Sequence, residues 1–237
     1  MSFVVALASS VMSFGQIKTD TKTDITDKGF TLIFDGHTFD NWVGDSVYWS
    51  IQDGVLKGTV TFETLLKENS FIIWQGGQPE NFELKMEYRV SAEGNSGISY
   101  RSIPYTETNN KYALKGCQLD IDGEGRWTGQ NYEEKGREFL ALRGETVIKR
   151  TGDKPEVVAR LDNNGELLNS VNKTGWNEAH IIVYGNTMIH IINGKVMSVV
   201  VDSDEEYRIR KGLIGMQVHV GPPMTIEFRN IRLKELN

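Results

Sequence analysis

A single cysteine, Cys117, stands among the 237 residues, so no disulfide can close within the chain in any compartment. A lone thiol of this kind most often serves as a small buried apolar side chain. Only five prolines are present against 24 glycines, a balance that suits many turns. Lys and Arg are scattered with no basic tract, and the formal charge is −6, which removes the phosphate-neutralising route to nucleic acid. No apolar run approaches the roughly 20 residues needed to span a bilayer, so no transmembrane segment is expected. No Ser-His-Asp order and no phosphate-cradling glycine loop stands out. Helical periodicity is scarce as well, and Glu133 to Arg143 is the one stretch that reads as a short helix.

What is present is enough hydrophobic content, 39%, for one sizeable core. Phe3 to Ala8 with Val11 and Met12 form an uncharged apolar stretch, and the small residues Ser13 and Gly15 follow before Gln16. This outline predicts a signal peptide over residues 1–15 and hence export, although no basic residue precedes it. Residues 16–29 are dominated by Thr, Asp and Lys and read as a flexible linker. The folded domain is expected over residues 30–237.

Within that domain apolar and polar residues alternate in short runs bounded by Gly, Asn and Asp. Phe82, Leu84, Met86, Tyr88 and Val90 alternate with four charged residues. His180 to Tyr184 and Met188 to Ile192 form a hairpin across Gly185-Asn186, and Asn193-Gly194 turns the chain into Val196 to Val201. Leu213 to Val220 and Thr225 to Leu233 supply closing strands. So many short strands argue an all-β sandwich or jelly roll. In a sandwich the polar parity of each strand faces outward, and here it carries Glu87, Arg101, Gln118, Asp120, Asp122, Gln217 and His219. If these strands are neighbours, those side chains meet in a groove.

Several ordered motifs carry a resemblance. Leu32-Ile33-Phe34-Asp35-Gly36 with Asn41-Trp42, Trp49 to Leu56, Asn81 to Leu84, Asn95-Ser96-Gly97-Ile98 with Arg101, Gln118-Leu119-Asp120, Gly175-Trp176-Asn177, Gly215 to His219 and Phe228 to Ile231 resemble the 3-keto-disaccharide hydrolase family. The similarity runs from about Phe30 to Leu236. It implies a concanavalin A-like, laminin-G-like β-sandwich jelly roll, exported to the periplasm or beyond the cell, acting on sugars whose C3 hydroxyl has been oxidised to a ketone. The expected partner is thus a carbohydrate. Family members also occur as lectin-like modules, so a non-catalytic carbohydrate-binding module is the first rival.

A 3-keto group acidifies the C2 proton, which lets a base remove it, the C1 oxygen depart by β-elimination, and water add to the enone. Such a site needs a base, an acid and an oxyanion stabiliser. His219 is the best candidate for proton transfer because imidazole titrates near neutrality, set against a merely structural surface histidine. Glu87 and Asp120 are the candidate carboxylates; paired across a scissile bond they would instead make a conventional glycosidase, the second rival. Arg101, Gln118, Asp122, Trp127, Arg137 and Gln217 are candidate sugar contacts, with a salt bridge to Glu87 as the alternative for Arg101 and a core-capping ring as that for Trp127. The sequence points to no definite cofactor, and a divalent cation is the open alternative. Asp120 and Asp122, two apart on one strand, could with His219 hold a divalent cation, although paired aspartates beside Gly123 and Gly125 more often shape a turn. Trp42, Trp49 and Trp176 adjoin apolar alternation and are expected in the core.

Overall fold

A computed structural model describes residues 28–237. The expected signal peptide, and all but the last two residues of the expected linker, lie outside the described residues. Two sheets form the domain. In chain order the strands are β1 (Thr31–Leu32), β2 (Trp42–Val43), β3 (Trp49–Gln52), β4 (Val55–Val60), β5 (Ser70–Trp74), β6 (Phe82–Val90), β7 (Asn95–Pro104), β8 (Leu114–Asp122), β9 (Asn131–Glu134), β10 (Glu138–Ala141), β11 (Glu145–Arg150), β12 (Glu156–Arg160), β13 (Asn177–Tyr184), β14 (Thr187–Ile192), β15 (Lys195–Ser203), β16 (Leu213–Val218) and β17 (Met224–Glu235). The ten-stranded sheet runs β12-β11-β15-β14-β13-β6-β17-β4-β3, with β1 paired to β17; the seven-stranded sheet runs β10-β9-β8-β7-β16-β5-β2. No helix among the described residues is long and apolar enough to cross a membrane.

Alternation decides which face is buried. In β6, Phe82, Leu84, Met86 and Tyr88 turn inward and are fully buried, while Glu83, Lys85 and Glu87 turn out. They pack against Ile98, Leu119, Ile121, Met216 and Val218 of the smaller sheet in one continuous core. Cys117 belongs to that core, where burial pushes its thiol far above the ordinary range. The only regular helix among the described residues is Asn164–Asn169, entered through Asn163, whose side chain accepts from the Gly165 N–H at 2.8 Å. Glu133 to Arg143 is not helical. It forms β9, a turn with Lys135 and Glu138 at positive φ, and β10.

One polar cluster crosses the core. The Tyr100 hydroxyl lies 2.8 Å from His190 Nε2, and Asn131 Nδ2 donates to the same hydroxyl at 3.0 Å. Burial lowers the His190 pKa to about 3, so the ring is neutral; its Nδ1–H donates to the Gln130 carbonyl at 3.1 Å and its Nε2 accepts from Tyr100. Strands β7, β9 and β14 are thereby tied across the two sheets. That tie fixes the approach of β9, which carries one wall of the cleft described next.

Candidate active site

The outer face of the seven-stranded sheet bears a cleft of about 490 Å³. Its floor comes from β8, where Gln118 and Asp120 alternate with the buried Leu119 and Ile121. On the neighbouring strand Gly97 stands opposite Asp120, and a Cβ there would lie 2.2 Å from Gln118 Cδ. The absent side chain at Gly97 therefore gives Gln118 its place. Gln118 accepts from Ser99 Oγ at 3.0 Å and donates to Asp120 Oδ1 at 2.8 Å.

Asp120 is only 7% exposed. Burial pushes its carboxyl up to about 8; the Gln118 donor opposes this, and the charges of Glu134 and Asp122 add to it. Glu134, on β9, is likewise raised by burial and held back by Asn69, whose Nδ2 sits 3.3 and 3.4 Å from its two oxygens, and by Lys135. His219 follows the end of β16 and lines the cleft half-buried, with burial lowering its pKa. Its Nδ1 contacts the Val220 carbonyl, which can only accept, so Nδ1 carries the hydrogen and Nε2 is left as the acceptor of the neutral ring. An aromatic wall completes the cleft. Trp127, 38% exposed, stacks on Phe139 at 5.4 Å and 28°, and Tyr132 meets Phe139 edge-on at 5.0 Å.

Four of the residues expected from the sequence thus line one cavity: Gln118, Asp120, Trp127 and His219. Gln217 lies on the same face, between the inward Met216 and Val218, but is fully buried. The others are elsewhere. Glu87 is on β6 of the opposite sheet, ion-paired to Arg229, so the core separates it from Asp120 and the two cannot flank one bond. Arg101 is 1% exposed: an irregularity in β7 after Tyr100 and a φ of 45° re-aim it, and its guanidinium donates to the carbonyls of Glu80 at 2.7 Å and Gly185 at 2.8 Å. It links the sheets rather than holding a sugar, and it does not pair with Glu87.

Asp122 is also structural. Its carboxylate accepts the N–H groups of Arg126, Trp127 and Thr128 at 2.8 to 3.1 Å and so shapes the loop that presents Trp127. Arg137 faces away from the cleft into a network with Glu133, Asp202 and Asp204, the last also held by Lys149 at 3.0 Å. Asp120, Asp122 and His219 do not form the metal-ligand set that their spacing suggested: among the described residues no three His, Cys, Asp or Glu side chains gather in that way. Trp42 and Trp49 are in the core as expected, but Trp176 is half-buried on the outer face of the large sheet, flanked by the guanidinium groups of Arg229 at 4.0 Å and Arg89 at 4.9 Å.

Residues 29–234 match the family model of the 3-keto-alpha-glucoside-1,2-lyase-like domain. The chain belongs to that family. A 3-keto-disaccharide hydrolase of Bacteroides thetaiotaomicron is 24% identical over 272 residues, covering all of this chain and 87% of that protein. Among solved structures, a protein of Parabacteroides distasonis ATCC 8503 described as a candidate glycosyl hydrolase has a TM-score of 0.58 at 20% identity, covering 90% of this chain and 96% of that one. A Bacillus subtilis protein with a galectin-like fold has a TM-score of 0.57 at 12% identity, covering 87% and 94%. These structural likenesses bear out the expected jelly-roll class.

In this family member seven of the eleven cleft-lining residues were not expected from the sequence. Tyr132, Glu134, Lys135, Glu138 and Phe139 line it from β9, β10 and their turn, and Asn69 and Asn95 line it from other segments. The missed signal was the period-two step from Tyr132 to Glu134, hidden because polar residues stand on both parities: Glu133 is sealed against Arg137 and Glu134 opens to the cleft. Asn69 carried no motif at all.

Proposed function

We propose that the chain is a carbohydrate-active enzyme that cleaves the glycosidic bond of 3-keto-glycosides by C2 deprotonation, β-elimination and hydration. One observation carries this reading: a neutral imidazole with a free acceptor nitrogen and a carboxyl that keeps its proton near neutrality line the same cleft. His219 Nε2 takes the C2 proton. The electron pair of that C–H bond forms the C1–C2 double bond as the C1–O bond breaks, and the Asp120 carboxyl delivers its proton to the departing oxygen. Negative charge that builds on O3 meets the carboxamides of Gln118 and Asn95 and the Lys135 ammonium in the same cleft. Water then adds at C1 of the enone, Asp120 takes back a proton, and protonated His219 returns one to C2, which balances to net hydrolysis.

The aromatic wall of Trp127 and Phe139 supports a second ring, as sugar or aglycone, beside the reacting one. It also fits the rival reading of a binding module, which needs no proton transfer. Purified protein incubated with a 3-keto-glucoside bearing a chromogenic aglycone distinguishes them. Release of the aglycone with transient enone absorbance is expected. Sugar binding without turnover overturns the enzyme reading, and equal cleavage of the unoxidised glycoside overturns the elimination route.

A further inference from the structure

Asn69 stands immediately before β5, and the antiparallel register that pairs Ser70 with Val218 sets it opposite His219. Residues directly opposite on such strands point to the same face, here the cleft face. Its carboxamide is used from both ends. The Nδ2 group reaches both oxygens of Glu134 at 3.3 and 3.4 Å, and Oδ1 accepts the N–H of Val220 at 3.0 Å. Val220 is also the residue whose carbonyl takes the Nδ1 hydrogen of His219. The Asn69 main chain is held as well, its carbonyl accepting from Asn110 Nδ2 at 3.0 Å.

We infer that Asn69 is the positioning residue of the cleft, joining Glu134 on one wall to the His219–Val220 segment on the other and thereby selecting the His219 tautomer whose Nε2 is free. This rests on the proposed roles of His219 and Asp120, yet it makes its own claim about geometry. Without the Asn69 acceptor, Val220 loses the bond that anchors its main chain at the N–H, so its carbonyl, in the next peptide plane, is held less firmly and the Nδ1 hydrogen loses a fixed partner. Without the Asn69 donors, Glu134 loses the contact that holds it across the cleft. A side chain with both an acceptor and a donor is therefore required, and only Asn and Gln carry both as an uncharged carboxamide.

The test exchanges donor and acceptor. Asn69→Asp keeps the acceptor for Val220 but sets a carboxylate against Glu134; adding Glu134→Gln restores a donor to that pair with the roles reversed. Asn69→Ala removes both ends. The His219 tautomer is read from ring nitrogen shifts in long-range proton–nitrogen spectra, which need no turnover, and kcat and KM are measured separately on the 3-keto-glucoside. In Asn69→Ala the Nδ1-protonated form becomes a mixture and kcat falls on the order of tenfold or more, the range of a proton-transfer group losing alignment. Asn69→Asp keeps the tautomer, while KM rises, and the double variant lowers KM again. A wild-type tautomer and wild-type kcat in Asn69→Ala overturn the inference, as does a double variant no better than Asn69→Asp. If the wild-type protein turns over no 3-keto-glucoside, the functional reading fails, while the tautomer measurement still decides the role of Asn69.

Discussion

Replacing Asp120 by Asn is expected to stabilise the protein and to do so increasingly as pH rises. The folded carboxyl titrates near 8, whereas an aspartate in an unfolded chain titrates near 3.9. The fold therefore favours the protonated form. Stability from this group is complete below the unfolded value and declines as pH climbs through the window up to the folded value, with no further loss above it. Each pH unit inside that window costs about 1.4 kcal/mol, so wild type loses about 2.7 kcal/mol between pH 5 and pH 7 through this one group. Asn keeps the shape and the oxygen that accepts from Gln118 Nε2 but has no proton to lose. Urea unfolding of both proteins, followed by tryptophan fluorescence at pH 5, 6, 7 and 8, measures the difference. The advantage of Asp120→Asn is expected to widen by roughly 2–3 kcal/mol from pH 5 to pH 7 and to level off near pH 8. A difference that stays flat across that range refutes the reasoning, because the carboxyl would then titrate alike in both states. The same variant loses the proposed acid, so cleavage should fall as stability rises.

Four further outcomes follow from the cleft. His219→Gln is expected to lower kcat by about 10²- to 10⁴-fold with little change in sugar affinity, checked by steady-state kinetics beside calorimetric binding. In wild type, kcat/KM should hold its value below the usual histidine midpoint near 6.5, since burial lowers the His219 pKa and the base stays neutral to lower pH, and should fall as Asp120 ionises near 8; a pH–rate profile reads both limbs. Trp127→Ala should raise KM by roughly 3- to 10-fold while kcat stays near wild type, the scale of one lost ring-stacking contact. Gly97→Ala should cost about 1–3 kcal/mol in thermal unfolding, because the added methyl meets Gln118 at 2.2 to 2.5 Å and must push it off Asp120.

The sandwich was legible because apolar residues on alternate positions report a buried face wherever the opposite parity is polar. Phe82 to Val90 and the run from His180 to Val201 carry that pattern cleanly, and β6 and β13 to β15 stand where it places them. Apart from Trp127 in its loop, the cleft was legible only along β8 and at the end of β16, where the same contrast gave Gln118, Asp120 and His219. Two mechanisms hid the rest. Parity says which way a side chain leaves its strand but not which sheet the strand joins, so Glu87 shared the polar pattern of Asp120 while facing the other side of the molecule. It also assumes regular strands, and the irregularity after Tyr100 turned Arg101 from the expected outward position into the interior. In β9, charged residues on both faces left no contrast to read, because Glu133 is buried in an ion pair rather than exposed.

That ion pair bears on how the domain can diversify. Residues 131–141 contribute five of the eleven side chains around the cleft, yet the segment is fastened from below by Arg137, Glu133, Asp202 and Asp204 and does not share in the continuity of the large sheet. Such an arrangement behaves as an exchangeable cassette on a fixed chassis. Provided that the anchoring residues are carried along, transplanting this hairpin between relatives should transfer preference for the leaving group, while the proposed base, His219, stays on a segment that the hairpin does not pair with and the proposed acid, Asp120, stays on β8, which β9 adjoins.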